Sequence, residues 1–284
     1  MQLPSVKVKQ LLEAGVHLGH KTYRWNPKMS KFIFGSKNSI HIIDLVQTLE
    51  LVNAALIEIH KCISSGGKIL LVSTKKQAAE TIANLAKDTS QFYVNHRWLG
   101  GMLTNWKTIS NSIKRLKKLT IDLKEENTGF TKKENLKMGI QRDKLERSIG
   151  GIADMTKIPD MIFIVDTNAE ELAVKESIRL NIPIVAILDS NSDPTGINFP
   201  IPGNDDARRA INLYCDLIKQ TILDAQKNIS KTDKEDLIEA KNIEPIKETK
   251  KEKIETKKEK IKTVKKISKS ILSKVKSLTS KKTK

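Results

Sequence analysis

The side chains that could bind a metal ion come from three separate stretches of the 284-residue chain. A histidine near the N-terminus, His20, is followed much later by two acidic stretches, Asp189–Asp193 and Asp205-Asp206. Histidine nitrogens combined with carboxylate oxygens suit Zn²⁺, and carboxylates alone suit Mg²⁺. The pattern therefore predicts a structural Zn or Mg site with these ligands: His20, Asp189 and Asp205, and either Asp193 or Asp206 as a fourth.

A purely structural role would account for the same residues. Asp205 and Asp206 precede a predicted helix, where carboxylates stabilise the positive end of the helix dipole. His20 would then only bond a loop carbonyl. On this interpretation the protein requires no cofactor.

Motifs of known catalytic machinery are missing from the sequence. No GxGxxG follows a strand, Gly66-Gly67-Lys68 precedes its strand instead of following it, and neither GxSxG nor HExxH occurs. We therefore predict that the protein is not an enzyme and has no small-molecule substrate. The catalytic alternative is a metal-dependent hydrolase that uses His20 and the aspartates.

Positive charge is concentrated in two parts of the chain. The formal net charge is +18, from 51 Lys and Arg against 33 Asp and Glu. Residues 97–150 contain 13 basic and 6 acidic side chains, residues 226–284 contain 20 and 9, and the remainder is balanced. Clustered cations gain affinity for phosphate backbones by counterion release, so this distribution predicts a polyanionic partner. The alternative is two solvated charged stretches.

The window Asn95–Trp106 contains two of the three tryptophans, an arginine and the pair Gly100-Gly101. Such a loop offers flat faces for stacking, the forked cation of Arg97 and a backbone that can approach a partner closely. We expect Trp25 and Trp98 to pack within the protein rather than stack on bases.

Apolar runs that alternate with amphipathic helices predict the fold class. Strands are expected at 68–73, 91–94, 161–166 and 182–189, with Thr74 and Asn168 as caps of the helices that follow two of them. Continuous apolar strands separated by helices indicate an α/β protein whose parallel sheet is covered on both faces. The predicted body comprises 1–96 and 151–228, interrupted by an insert at 97–150 and followed by a lysine-rich tail at 229–284.

The insert is predicted to be a helical, coiled-coil hairpin. Its first arm has a thin apolar seam, the turn falls at 127–130, and Thr131 with Glu134 forms a capping box for the return arm. So thin a seam is marginal alone, which suggests that the hairpin protrudes and is braced by a partner. The tail contains no aromatic residue and should be disordered when free.

Several motifs, in order, resemble the bacterial small-subunit ribosomal protein S2 family over about residues 5 to 225. They are Gly15–His20, Arg24–Met29, Asn95–Trp106, Gly150-Gly151 and Ile201–Asp206. Leu18 replaces the phenylalanine usual in the family, and the tail is longer and richer in lysine than the family norm.

The resemblance implies a flavodoxin-like sheet with a protruding helical hairpin, docked between the head and body of the small subunit. It implies contacts with 16S ribosomal RNA and with neighbouring proteins, including the largest small-subunit protein, which gathers messenger RNA. The expected location is the ribosome, in a bacterial cytoplasm or an organelle, with no membrane partner. The alternative is a free-standing RNA-binding regulator outside the ribosome.

Within this interpretation, basic residues of the body and hairpin are the predicted phosphate contacts. Lys75 and Lys76 open a predicted helix, so backbone amides add to their charge. The full set is Arg24, Lys28, Lys75, Lys76, Arg97, Lys107, Lys114, Arg115, Lys117 and Lys118.

Overall fold

The structure is a computed structural model that describes residues 4–124 and 131–242, with the side chains described as far as 228. Eight strands lie in these residues: β1 (Leu18–Lys21), β2 (Ile33–Lys37), β3 (Ile40–Ile43), β4 (Ile69–Val72), β5 (Phe92–Val94), β6 (Met161–Ile164), β7 (Ile184–Leu188) and β8 (Phe199–Pro202). The described α-helices are α1 (Val8–Glu13), α2 (Leu45–Ser64), α3 (Lys76–Thr89), α4 (Trp106–Asp122), α5 (Lys132–Ile149), α6 (Glu171–Arg179) and α7 (Arg208–Asn242).

Five of the strands form a parallel sheet in the order β5-β4-β6-β7-β8. Each central strand is buried along its whole length because its side chains alternate between two separate apolar cores. In β4, for example, Ile69 and Leu71 enter one core, while Leu70 and Val72 enter the other. The predicted α/β class with a parallel sheet covered by helices is therefore confirmed.

The remaining strands form a second sheet that the alternating pattern did not separate from the first. It is antiparallel, in the order β1-β3-β2. Its strands are short, and a bulge interrupts the pairing of β2 with β3 between Ile33 and Gly35. This sheet places the N-terminal segment beside the carboxyl edge of the parallel sheet, since the backbone N–H of His20 donates to Ser190 Oγ at 2.9 Å.

Two predicted helix caps are wrong. The N-cap of α3 is Lys75, and the backbone N–H of Thr74 donates instead to the side chain of Glu170. Helix α6 starts at Glu171, and the turn before it is closed by Asp166, which accepts from the N–H groups of Asn168 and Ala169. In both places a carboxylate fixes the backbone just before the helix, and neither N-cap residue makes a side-chain capping bond.

The insert forms the predicted hairpin of two helices, α4 and α5, which contact each other. The capping box at the start of α5 is present, with Thr131 and Glu134 bonded reciprocally. At the base of the hairpin the backbone of Gly151 packs closely against β5. Only glycine fits there, because a Cβ atom would lie 2.2 Å from the carbonyl oxygen of Tyr93. The predicted turn at 127–130 lies outside the described residues.

The chain divides into two compact units, Met1–Ile229 and Ser230–Lys284. Helix α7 extends to Asn242, beyond the boundary expected at 229. The predicted tail from 243 onward lies outside the described residues. Among the residues described, no helix combines the length and the hydropathy of a bilayer-spanning segment.

Candidate functional site

The carboxyl edge of the parallel sheet gathers acidic side chains from three loops. Asp166 follows β6, Asp189 follows β7, and Asp205 follows β8. Because the carboxyl ends of parallel strands meet at one edge, these residues converge although they are distant in sequence. Lys75, which follows β4, and His20, from the antiparallel sheet, complete the group.

Lys75 lies at the centre of this acidic group. Its Nζ is 2.8 Å from Asp166 Oδ2, 2.8 Å from Asp205 Oδ1 and 2.7 Å from Asp206 Oδ1. Burial alone would lower the pKa of Lys75, but the three carboxylates raise it above its ordinary value. The lysine is therefore a fixed positive charge that neutralises part of the cluster.

His20 bonds to the cluster from its other side. Its Nδ1 is 2.7 Å from Asp189 Oδ2, and its Nε2 is 3.5 Å from Asp206 Oδ2. The hydrogen bond with Asp189 raises the pKa of His20, against the effect of burial. Burial and the neighbouring Asp166 raise the pKa of Asp205 to about 7, although Lys75 opposes this shift.

Four potential metal ligands meet in this cluster: His20, Asp189, Asp205 and Asp206, each offering one atom within 4.8 Å of the others. Asp205 Oδ2 is buried and has no hydrogen-bond partner among the described residues. Of the two candidate fourth ligands, the fold brings in only Asp206. Asp193 lies outside the group and bonds to Lys28 Nζ at 2.7 Å, which lowers the pKa of Asp193 to about 2.

The crevice between β4 and β6 is occupied by the protein's own carboxylate. Parallel sheets commonly bind ligands where neighbouring strands are connected in opposite directions, and here that place lies beside the start of α3. The backbone N–H of Thr74 donates to Glu170 Oε1 at 2.6 Å. A phosphate entering this crevice would therefore meet Glu170 and Asp166 in place of free amides.

The predicted phosphate contacts of the body fall into two groups. Lys28 and Lys75 have carboxylate partners within the protein. Arg24, Lys76 and Arg97 are exposed, and none of them has an ion-pair partner in the part of the chain that is described. Only the second group offers charge that is available to a polyanion.

The predicted contacts of the hairpin lie on α4, and all are exposed. Lys107, Lys114 and Lys118 are spaced by seven and four residues, which places them on the face opposite the buried seam. Within the described chain these three have no ion-pair partner. Arg115 donates to Gln141 Oε1 at 3.1 Å, and Lys117 Nζ is 3.2 Å from Asp154 Oδ1.

Glu176 on α6 fixes the loop from which the hairpin emerges, a role that sequence reasoning missed. Its two carboxylate oxygens accept from Trp98 Nε1 at 3.0 Å, from three backbone N–H groups and from one hydroxyl, which belong to Gly101, Leu103 and Thr104. Glu176 lies on the buried face of α6, together with Ala173 and Ser177. A glutamate on the small-residue face of a predicted helix is the one signal in the sequence that could have pointed to it.

The hydrogen bonds that Glu176 accepts favour its ionised form. Burial would raise the pKa of this carboxyl group, but the bonds from Trp98, Thr104, Leu103 and Gly101 outweigh burial and hold the pKa below its ordinary value. Trp98 is 6% exposed, so the predicted packing role of this tryptophan is confirmed, whereas Trp25, which was expected to pack as well, is 40% exposed. The root of the hairpin is therefore tied to α6 by an ionised carboxylate.

These features define a class of protein: an α/β body whose buried charged groups are bonded within the protein, carrying a protruding basic hairpin. The chain belongs to the ribosomal protein S2 family, whose sequence model matches residues 11–225. It is 58% identical to the small ribosomal subunit protein uS2 of Parvibaculum lavamentivorans over 224 residues, which are 79% of this chain and 88% of that protein. The uS2 proteins of Agrobacterium fabrum and Brucella suis are 57% and 58% identical over the same length.

Membership of this family confirms the predicted class. The protein is a structural component of the small ribosomal subunit and takes part in translation. It is not an enzyme, so the hydrolase alternative is wrong. Its partners are ribosomal RNA and ribosomal proteins.

Proposed function

We propose that the protein binds 16S ribosomal RNA between the head and body of a bacterial-type small subunit. We propose further that it helps to recruit the largest small-subunit protein, the one that gathers messenger RNA. The observation that carries RNA binding is the row of unpaired lysines on α4, Lys107, Lys114 and Lys118. Since no carboxylate of the described chain neutralises them, their charge is available to phosphates.

Replacing these three lysines with alanine tests the proposal. RNA affinity should fall, and the slope of log K against log salt should flatten by roughly 0.7–0.9 for each phosphate that is no longer bound. The matched control replaces Lys9, Lys61 and Lys157, which lie on the body surface and are paired with carboxylates. It removes the same net charge and should leave the slope nearly unchanged. Equal effects of the two variants would show that only total charge matters.

Sedimentation of native lysate distinguishes the ribosomal role from that of a free-standing RNA-binding regulator. The protein should travel with small subunits at moderate salt and be depleted from the top of the gradient. Subunits that lack it should also retain less of the largest small-subunit protein, and adding the purified chain should restore that protein. A full complement of the largest protein on depleted subunits would refute the recruitment step.

We also propose a divalent metal, Zn²⁺ or Mg²⁺, held by His20, Asp189 and Asp205 with Asp206 as the fourth ligand. The unpartnered Asp205 Oδ2 supports this assignment, because a buried carboxylate oxygen without a partner is costly. A metal there would tie the N-terminal segment to the body, and it would replace the direct bond between His20 and Asp189. Stoichiometric metal after dialysis and a lower melting temperature on chelation are expected. No metal and an unchanged melting temperature would leave these residues as a hydrogen-bonded cluster.

A further inference from the structure

The outward face of α5 exposes aliphatic side chains that belong to neither apolar core. Leu136 is 68% exposed and Ile140 is 61% exposed, although both belong to the large apolar residues that proteins usually bury. They lie one helical turn apart, so they are neighbours on one face. Leu145 and Ile149, which pack against the core of the body, point from the opposite side of the same helix.

The free charge around this pair is positive. Lys133, Lys144 and Arg147 lie on the same face by helical spacing and have no ion-pair partner within the described residues. The one acidic side chain on that face, Asp143, is paired with Arg142. The face therefore consists of two aliphatic side chains bordered by unneutralised cations.

The two arms of the hairpin present different chemistry outward. The outward face of α4 has the unpaired lysines at 107, 114 and 118, and the only large aliphatic that α4 exposes is Ile121. A phosphate backbone suits that face. A phosphate backbone offers little apolar surface to cover Leu136 and Ile140, whereas a protein groove recognises a helix through anchors spaced as these are.

We propose that the outward face of α5, from Lys133 to Arg147, docks in a groove of an acidic protein segment, with Leu136 and Ile140 as the apolar anchors. The charge of the face selects the acidic partner, and the aliphatic pair supplies the buried contact. One helical face is a small contact, so it adds to the RNA contacts of α4, the helix against which α5 packs. The inference rests on the proposed docking of the hairpin in the small subunit.

The test measures the affinity of full-length protein for two probes: protein-free 16S ribosomal RNA, and small subunits stripped of this protein by a salt wash. Leu136→Ser with Ile140→Ser should weaken binding to stripped subunits about tenfold, because the variant buries no aliphatic surface against its partner. Binding to the bare RNA should be unchanged. Val46→Ser with Leu172→Ser, two exposed aliphatics of the body, is the matched control and should alter neither affinity.

The nature of the partner follows from a photo-cross-linker placed at residue 136 of the chain bound to stripped subunits. The expected adduct is a protein segment in which Asp and Glu outnumber Lys and Arg. An adduct with RNA or with a basic segment would overturn the inference, as would a double serine variant that binds stripped subunits like the parent. If the parent itself failed to bind stripped subunits, the proposed function would fall along with the inference.

Discussion

The carboxyl edge of the sheet and the hairpin use their charges in opposite ways. At the edge, Lys75 is 17% exposed and bonded to three carboxylates. On α4, Lys107, Lys114 and Lys118 are exposed, with no ion-pair partner in the described chain. All four lysines carry the same charge, but only that of Lys75 is neutralised by neighbouring carboxylates.

The difference teaches which charges hold the fold and which are available to a partner. Taking Lys75 away would leave buried carboxylates without compensation, which is expensive in a low-dielectric environment. Replacing an exposed lysine changes the free energy of unfolding little, because its charge is solvated in both the folded and the unfolded protein. Substitution of Lys75 should therefore lower stability more than substitution of the α4 lysines does. Substitution of the α4 lysines should lower RNA affinity more than substitution of Lys75 does.

The largest effect on stability is expected for Lys75→Met. The substitution keeps most of the length of the side chain but leaves the buried carboxylate of Asp166 without its cation. It also favours the protonated form of Asp205, whose pKa is already raised to about 7. Loss of one partner of a buried ion pair costs about 3–5 kcal/mol. Urea unfolding of the purified protein at pH 7, with a chelator present, provides the measurement.

Lys76→Met is the control for that variant, since Lys76 is the next residue along the chain and is exposed. It should change the free energy of unfolding by less than about 0.5 kcal/mol. Similar losses for Lys75→Met and Lys76→Met would mean that the carboxylates do not depend on Lys75.

A smaller effect is expected for Glu176→Gln. Glutamine retains one acceptor oxygen, but its amide N–H groups face the backbone N–H donors of the loop, so the variant should lose about 2–3 kcal/mol at pH 7. Glu171→Gln, on the exposed side of the same helix, should be nearly neutral. Thermal unfolding of the three proteins, followed by circular dichroism, makes the comparison.

The effect of Glu176 should also depend on pH, with a defined sign. A carboxyl group whose pKa is lower in the folded than in the unfolded protein stabilises the fold above the unfolded pKa, and that stability is lost as the pH falls through the folded pKa. The difference between the parent and Glu176→Gln should therefore be full at pH 7 and shrink below roughly 4.3, the ordinary pKa of glutamate. A constant difference from pH 7 to pH 3 would contradict an ionised Glu176.

The smallest effect on stability is expected for the triple alanine variant at Lys107, Lys114 and Lys118. Its free energy of unfolding should match that of the parent within about 0.5 kcal/mol, because none of the three side chains is bonded within the described protein. The same preparation serves for the RNA measurement, which makes the comparison direct. A large loss of stability would place these lysines with Lys75 and remove the contrast between the two regions.

Much of the fold was predictable because burial dictates composition. The central strands are apolar at every position, since both faces of the sheet are covered, and this pattern is visible in the sequence. The convergence of Asp189 and Asp205 was predictable for a related reason: both follow parallel strands, whose carboxyl ends share one edge. The capping box of α5 is a local motif and was found as such.

The partners of long side chains were not predictable. Lys75 lies 91 residues from Asp166 in the chain, and nothing in the local pattern distinguishes it from the exposed Lys76. Glu176 and Trp98 meet across 78 residues, and Thr74 is bonded by Glu170 instead of capping its own helix. Each of these contacts depends on how the loops are placed, which periodicity and propensity do not specify.

The bonds between Glu176 and the root of the hairpin also set an angular tolerance for assembly. Helix α4 has 17 residues. At 1.5 Å per residue it is about 25 Å long, so a rotation of roughly 10° at its root would move its far end by about 4 Å. That displacement exceeds the length of a hydrogen bond, and lysines near the far end would miss a fixed row of phosphates while those near the root still reached it. A small change in the orientation of α4 at Glu176 would therefore weaken the phosphate contacts progressively, most at the far end of the helix.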